Sequence, residues 1–274
     1  MILKKRKLDN ACCIDNDLYD RDGDIWRQSD SPFFLMQCSV NPVRLGFFKR
    51  KLFTECNINP QGRSALEVGC GGGVLTREIA LMGFDVIGID PSEPSIKIAA
   101  SHAYEDGLRI TYEKGVGEAL AYRDGVFDVV FCCDVLEHVR DVPKVISEIS
   151  RVLKPGGFFC YDTLNRTFLS KLVAIHIAQD WKRWAFAPPN LHVWEMFIKP
   201  EELKNLLGQN NLEWKEHTGM GPNVSLPKLL RLLRKRAAGL LTYKDIGNDL
   251  YMVESRSMNI MYMGYAIKTN EIRG

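Results

Sequence analysis

Several features are scarce in this chain of 274 residues, and each absence excludes a class of protein. The eight cysteines include the adjacent pairs Cys12-Cys13 and Cys132-Cys133, but no CxxC motif and no Cys/His spacing typical of a zinc site. We therefore expect free thiols in a reducing cytoplasm. No window holds the roughly 18 uninterrupted apolar residues that a membrane span needs. The basic start MILKKRK is followed by acidic residues rather than by the apolar core of a signal peptide.

An excess of one charge sign is also missing. The 36 Lys and Arg residues nearly balance the 34 Asp and Glu residues, which leaves a net charge of +2. This balance gives no indication of a nucleic-acid partner. Residues 1–40 are polar, rich in Asp and without a clear period, so we expect a partly mobile N-terminal arm before a domain that spans residues 41–274.

From Ser64 onward, short apolar segments alternate with helical segments of about ten residues. This rhythm predicts a parallel β-sheet with helices on both faces. The segment NIMYMGYAIK near the C-terminus predicts an antiparallel strand, because no crossover helix precedes it. Two segments, residues 168–198 and 222–247, interrupt the rhythm, and we expect them to form a helical cap.

A glycine-rich turn, LEVGCGGGVL, follows the first predicted strand and begins a helix. Such a turn directs backbone N–H groups and a positive helix end at a ligand. A phosphate-binding P-loop would need a Lys that is absent, and the dinucleotide pattern G-x-G-x-x-G would place Val74 at its third glycine. The pattern E-x-G-x-G-x-G, formed by Glu67, Gly69, Gly71 and Gly73, is typical of methyltransferases that use S-adenosylmethionine.

A second acidic residue supports a nucleoside ligand. Asp90 ends the next predicted strand, 21 residues after Gly69, where a carboxylate can accept from both ribose hydroxyls. The same argument applies to NAD, so a nucleotide-binding dehydrogenase remains an alternative.

Several segments together resemble the class I methyltransferases that O-methylate polyprenylated catechols in ubiquinone biosynthesis. The matching segments occur in the family's order over about residues 41–220: NPVRLGFF, LEVGCGGGVL, VLEHV, LKPGG, TLNR and HVWEMFIKP. The resemblance implies a Rossmann-like α/β fold with a seven-stranded sheet, mostly parallel with the last strand antiparallel. The chain after Gly221 is longer and more basic than the family's usual end.

The resemblance also implies four cofactor contacts: Arg44, Gly69, Asp90 and Cys133. The Arg44 guanidinium can bind the cofactor's carboxylate through two hydrogen bonds. The family's usual adenine-binding acid corresponds here to Val116, so Glu118 is the candidate that replaces it. Glu67 and Gly71 complete the predicted cofactor-binding set.

The segment CCDVLEHV carries the candidate chemistry. It brings Asp134, Glu137 and His138 within one turn, and the resemblance implies that this trio binds Mg2+. The alternative is a structural or general-base role without metal. His138 is the first candidate for removing the acceptor's proton, because its pKa class suits neutral pH, and His192 is the second candidate.

Two segments predict contact with a membrane surface. LPKLLRLLRKRAAGLL is a basic amphipathic helix, with its leucines on one face and Lys228, Arg231, Arg234 and Lys235 along the other. Residues 168–186 add Trp181 and Trp184, which favour an interface. The alternative role for both segments is a lid over the substrate.

These patterns together predict a cytoplasmic enzyme, peripheral on the membrane, that methylates a phenolic acceptor with a lipid tail. One alternative keeps the chemistry but changes the acceptor to another small molecule of secondary metabolism. Another is a catalytically silent protein that binds lipid surfaces.

Overall fold

A single eight-stranded sheet forms the centre of the computed structural model, which describes residues 15–16, 18–21, 25–181, 185 and 187–269. The strand order is β3-β2-β1-β4-β5-β8-β6-β7. The strands are β1 (Ser64–Val68), β2 (Asp85–Asp90), β3 (Thr111–Lys114), β4 (Phe127–Cys133), β5 (Leu153–Leu164), β6 (Leu212–Pro222), β7 (Met252–Ser255) and β8 (Met261–Lys268). The first five strands pair in parallel, whereas β8 runs antiparallel to both β5 and β6.

The α/β fold, the mostly parallel sheet and the antiparallel strand near the C-terminus are confirmed. The strand count is corrected from seven to eight. The additional strand, β7, pairs antiparallel with Gly219–Pro222 of β6 at the edge of the sheet. It has four residues, none of them fully buried, so it lacks the apolar run by which a strand is recognised in a sequence.

The helices follow the predicted alternation. They are α1 (Leu18–Arg21), α2 (Asn41–Lys49), α3 (Val74–Leu81), α4 (Glu93–Glu105), α5 (Val142–Val152), α6 (Phe168–Ser170), α7 (Pro200–Gln209), α8 (Leu226–Ala237) and α9 (Tyr243–Asp249). Helix α5 begins at an N-cap, because the Asp141 carboxylate accepts from the Lys144 N–H at 3.1 Å. Helix α2, by contrast, has no side-chain hydrogen bond that caps its N-terminus. Asn41 is already helical, since π-helical turns at Met36–Val40 and Arg50–Glu55 extend α2 in both directions.

Two hydrophobic clusters pack on the two faces of the sheet. The neighbours Val129 and Val130 of β4 point to opposite faces and are both fully buried. One cluster includes residues of α5 and α7, and the other includes residues of α2 and α3. Burial on both faces holds the central strands in place. Because β1, β2, β4 and β5 run parallel, their carboxyl ends meet at one edge of the sheet.

The predicted cap segments are largely helical. The first contains α6, which continues as a π-helix over Lys171–Asp180, and a 3-10 turn at Trp194–Met196. The second contains α8 and α9, whereas Trp184 and residues 1–14 lie outside the described residues. In the predicted arm, the described residues Leu18 and Ile25 are buried, and the domain boundary at residue 40 stays a prediction. Among the described residues, no helix combines the length and apolarity that crossing a bilayer demands.

Candidate functional site

The glycine turn joins the end of β1 to the start of α3. The N–H groups of Gly69 and Cys70 both donate to the Ile89 carbonyl, at 2.8 and 2.9 Å, and so fasten the turn to β2. Gly69 has φ of 75° and Gly71 has φ of 48°, which is left-handed backbone that favours glycine. The turn therefore presents bare backbone at the carboxyl edge of the sheet.

Asp90 fixes the other side of the turn. Its carboxylate accepts from the Gly71 N–H at 2.9 Å and from the Ser92 N–H at 2.9 Å. Burial raises the pKa of Asp90, and these two N–H donors oppose that shift. Each carboxylate oxygen keeps capacity for a further hydrogen bond. The carboxylate that is predicted to bind ribose is therefore held next to the glycine turn. The ribose contact itself stays a prediction.

Glu67 lies beneath the turn, with 3% of its surface exposed. It accepts from the Thr76 hydroxyl of α3, so it links the end of β1 to the helix that follows the turn. Burial raises the pKa of Glu67 to about 8, and the hydrogen bond from Thr76 offsets only part of that rise. Glu67 therefore supports the turn from inside.

The Arg44 side chain of α2 forms ion pairs with two carboxylates. Its side chain is 3% exposed; one nitrogen bonds the Asp134 carboxylate, and Nε lies 3.1 Å from Asp162 Oδ2. The predicted contact between Arg44 and the cofactor carboxylate is untested, and any such contact would be shared with these two acids. Asp162 is not among the residues predicted from the sequence; its signal there is an isolated acid within the apolar strand FFCYDT.

Cys133 and Glu118 are also predicted to bind the cofactor. Cys133 ends β4 with 6% of its surface exposed, and the following residue Asp134 has φ of 55° and donates its N–H to Asp162 Oδ1 at 3.1 Å. Glu118 is half-buried in the loop between β3 and β4. The cofactor contacts of Cys133 and Glu118 stay predictions.

A cluster of one carboxylate and two imidazoles lies just after β4. Candidate ligand atoms of Glu137, His138 and His192 all lie within 4.8 Å of one another. The predicted metal trio contained Asp134 in place of His192. The structure differs because the Asp134 carboxylate pairs with Arg44, while the loop that carries His192 folds over His138 with the two rings 5.1 Å apart.

The oxygen and nitrogen atoms of this cluster can coordinate a metal ion or accept a proton. Glu137 Oε2 accepts from the Thr163 hydroxyl at 2.7 Å, but Glu137 Oε1, His138 Nδ1 and His192 Nδ1 are buried without a hydrogen-bond partner among the described residues. Burial lowers the pKa of His138 to about 4 and, with the nearby His138, that of His192 to about 3. Both rings are thus neutral at pH 7, the form that coordinates a metal or accepts a proton.

The loop that carries Glu137 and His138 contacts the glycine turn through Val135. A methyl group built on Gly69 would lie 2.3 Å from a Val135 side-chain carbon, so the loop that carries Glu137 and His138 packs directly against the turn. A ligand lying along the turn would therefore approach the loop that carries Glu137 and His138.

We predict that Glu67 makes stability depend on pH. Between its ordinary pKa of 4.5 and its folded pKa of about 8, the folded protein keeps a proton that the unfolded chain releases. The free energy of unfolding should therefore fall as pH rises, by up to ~1.4 kcal/mol per pH unit. Glu67→Gln keeps the oxygen that accepts from Thr76 and should remove this component. Denaturant unfolding at pH 5 to 8 measures it.

The control is Glu213→Gln, at a side chain that is 56% exposed, which should follow the wild-type pH profile. Parallel profiles for wild type and Glu67→Gln would show that the buried carboxyl does not hold its proton in this range.

Comparison with known proteins places this chain in a family. A family model described as "Methyltransferase domain" matches residues 66–161. A ubiquinone biosynthesis O-methyltransferase of Rhizobium etli is 37% identical over 186 residues, which cover 66% of this chain and 74% of the relative. A protein of the same name from Azorhizobium caulinodans is 39% identical over 188 residues, with the same coverage of 66% and 74%.

Solved structures support the fold. Magnesium protoporphyrin IX methyltransferase from Synechocystis, with bound SAH, has a TM-score of 0.58 at 18% identity, over 89% of this chain and 91% of that one. The YcgJ protein from Bacillus subtilis also has a TM-score of 0.58 at 18% identity, over 83% of this chain and 99% of that one. The predicted methyltransferase family is thus confirmed: the chain belongs to the ubiquinone biosynthesis O-methyltransferases, a family of class I S-adenosylmethionine-dependent enzymes.

Proposed function

We propose that the protein transfers the methyl group of S-adenosylmethionine to a phenolic oxygen of a polyprenylated catechol in ubiquinone biosynthesis. The observation that carries this proposal is the contact between the glycine turn and the loop of Glu137 and His138. It joins a nucleoside-binding surface to a cluster of proton-accepting groups at one sheet edge. The names of the relatives supply the acceptor class.

The residues around the turn fit the cofactor. Bare backbone at Gly69 and Gly71 allows close approach, and the fixed Asp90 carboxylate can bind the ribose hydroxyls. When bound, the cofactor supplies a methyl group on a positively charged sulfur. The protein's task is to align an acceptor oxygen with that methyl group and to remove the oxygen's proton.

His138 and His192 are suited to that proton transfer. In the proposed reaction the acceptor oxygen forms its bond to the methyl carbon, the bond between carbon and sulfur breaks, and an uncharged thioether leaves. The phenolic proton passes to an imidazole nitrogen, and Glu137 stabilises the resulting positive charge. Atoms and charge balance, because the charge lost by sulfur reappears as the transferred proton.

A divalent cation is a second part of the proposal. The buried Glu137 Oε1 and the two imidazole nitrogens form a donor set of one oxygen and two nitrogens, which is the set of many catalytic zinc sites. Mg2+, by contrast, prefers oxygen ligands, so these three groups fit zinc or manganese better than Mg2+. A bound cation would favour the phenolate form of the acceptor.

We predict that His192→Ala lowers the rate of methyl transfer to a prenylated catechol by roughly 100-fold or more, since proton transfer contributes about that much. Affinity for S-adenosylhomocysteine should stay within about twofold. Glu195→Ala, at an exposed position of the same segment, is the control and should retain activity. The measurement is single-turnover transfer of a labelled methyl group, with product analysis by mass spectrometry.

Chelation separates the two parts of the proposal. Loss of wild-type activity in EDTA, with recovery on adding Zn2+, Mn2+ or Mg2+ separately, would support the metal and rank the three ions. Full activity in EDTA would refute the metal and leave the imidazole base. Wild-type rates in His192→Ala would refute both roles of this side chain.

A cavity lined largely by the first cap segment offers space for part of the acceptor. It has a volume of about 600 Å³ and is lined by Arg166, Phe168, Lys171, His176, Trp194 and Lys199. Trp194 and Lys199 belong to the segment that carries His192, and Arg166 donates to the Phe197 carbonyl of that segment at 3.3 Å. The cavity thus supports a place for the acceptor's lipid tail next to the segment that carries His192.

The cap carries apolar side chains that are exposed on its surface. Phe168 is 82% exposed, Trp181 47% and Leu172 40%. In the second segment Leu240 is 71% exposed near Arg231, Arg234 and Lys235, but Leu232 and Leu233 are buried, so α8 uses part of its apolar face for packing. This arrangement supports the proposal that the cap rests on an anionic membrane surface, where the acceptor's tail lies.

We predict that Phe168→Glu reduces partition into vesicles of anionic phospholipid by about tenfold, because burial of a phenylalanine side chain is lost. The control is Tyr104→Glu, at an aromatic that is 86% exposed on α4, away from the cap segments. Vesicle flotation measures both variants. Equal flotation of Phe168→Glu and wild type would exclude the first cap segment from the membrane contact.

A further inference from the structure

An aromatic side chain from the N-terminal segment lies on the glycine turn. A methyl group built on Gly71 would be 2.6 Å from Cη2 of Trp26, and one built on Gly72 would be 2.2 Å from Cδ1 and Cγ. The indole ring is therefore in contact with the bare backbone of the turn. Since that backbone is where the cofactor is expected, Trp26 borders the cofactor site.

Tyr19 extends this aromatic surface. Its ring stacks on Trp26 with centroids 5.6 Å apart and an angle of 6° between the planes, and Phe33 packs against Trp26 at 5.1 Å. Burial and the charges of Asp90, Asp134 and Glu137 raise the pKa of Tyr19. The phenol is thus within electrostatic range of Asp90, which is predicted to bind ribose, and of Glu137.

Contacts on several sides hold this segment in place. The Tyr19 carbonyl accepts from the Ser92 hydroxyl at 3.2 Å, next to the N–H that Asp90 binds. Arg27 pairs with Asp106 at 2.5 Å after α4. From the C-terminal side, Arg236 pairs with Asp30 at 3.0 Å, and the Lys244 N–H donates to the Ser29 carbonyl at 3.0 Å. The aromatic pair is therefore a fixed part of the site's wall.

We propose that Tyr19 and Trp26 form an aromatic wall of the cofactor site and distinguish the charged cofactor from the uncharged product. Aromatic faces attract cations. The sulfonium of S-adenosylmethionine carries a positive charge, whereas the thioether of S-adenosylhomocysteine does not. A wall of this kind stabilises the reactive cofactor and favours release of the product. The inference rests on the cofactor assigned to the family, and it adds two binding residues that the methyltransferase motifs do not include.

The test compares ring and non-ring substitutions in the full chain. Trp26→Leu and Tyr19→Leu keep an apolar side chain but remove the aromatic face, whereas Trp26→Phe and Tyr19→Phe keep a face. Calorimetry measures affinity for S-adenosylmethionine, for S-adenosylhomocysteine and for an analogue with a protonated amine in place of the sulfonium.

We expect each Leu variant to lose about threefold to thirtyfold more affinity for the two cationic ligands than for S-adenosylhomocysteine, which is the range of a cation–π contact. The Phe variants should recover most of that preference. Tyr104→Leu, at the exposed aromatic of α4, should match wild type for all three ligands. Thermal unfolding identifies any variant that does not fold, and the Phe variants then carry the comparison.

Other results would refute the proposed role of the aromatic wall. Equal losses for charged and uncharged ligands would show that the rings only shape the site, and unchanged affinities would show that they do not touch the ligand. Higher affinity in the Leu variants would show that the segment competes with the cofactor. Failure of wild type to bind any of the three ligands would instead refute the cofactor assignment.

Discussion

The whole site depends on the link between Asp90 and the glycine turn. One carboxylate binds the Gly71 N–H and the Ser92 N–H, while the Gly69 and Cys70 N–H groups bind the Ile89 carbonyl. These bonds hold the ends of β1 and β2 together and keep the backbone between them bare. Because the loop after β4 packs against the same turn, displacement of the turn would also displace Glu137 and His138.

The electrostatics of the site are consistent with a cationic ligand. Glu67, Asp90, Glu137 and Asp162 are all largely buried near the carboxyl edge of the sheet, and burial raises the pKa of each. Glu67 and Glu137, each with a pKa of about 8, keep their protons at neutral pH, and Arg44 pairs with Asp134 and Asp162. A positively charged cofactor beside Asp90 would supply further neutralisation, which the uncharged product would not.

The fold could be predicted from the sequence because its signals are local. Alternating strands and helices, the glycine turn and the acid after β2 each lie within a few residues of one another. The contacts that were missed join distant segments: His192 approaches His138 from a loop some 54 residues later in the chain, and Trp26 reaches Gly71 from well before β1. Strand β7 was missed because a short edge strand needs no apolar run.

The most direct test of the account is calorimetric titration of the wild-type protein and Asp90→Asn with S-adenosylhomocysteine. Asp85→Asn, at an exposed position of the same strand, serves as the matched control. We predict that wild type and Asp85→Asn bind alike and that Asp90→Asn binds roughly tenfold to hundredfold more weakly, because hydrogen bonds to a charged carboxylate are lost. Equal affinity of Asp90→Asn and wild type, or binding of NAD in place of S-adenosylhomocysteine, would contradict it.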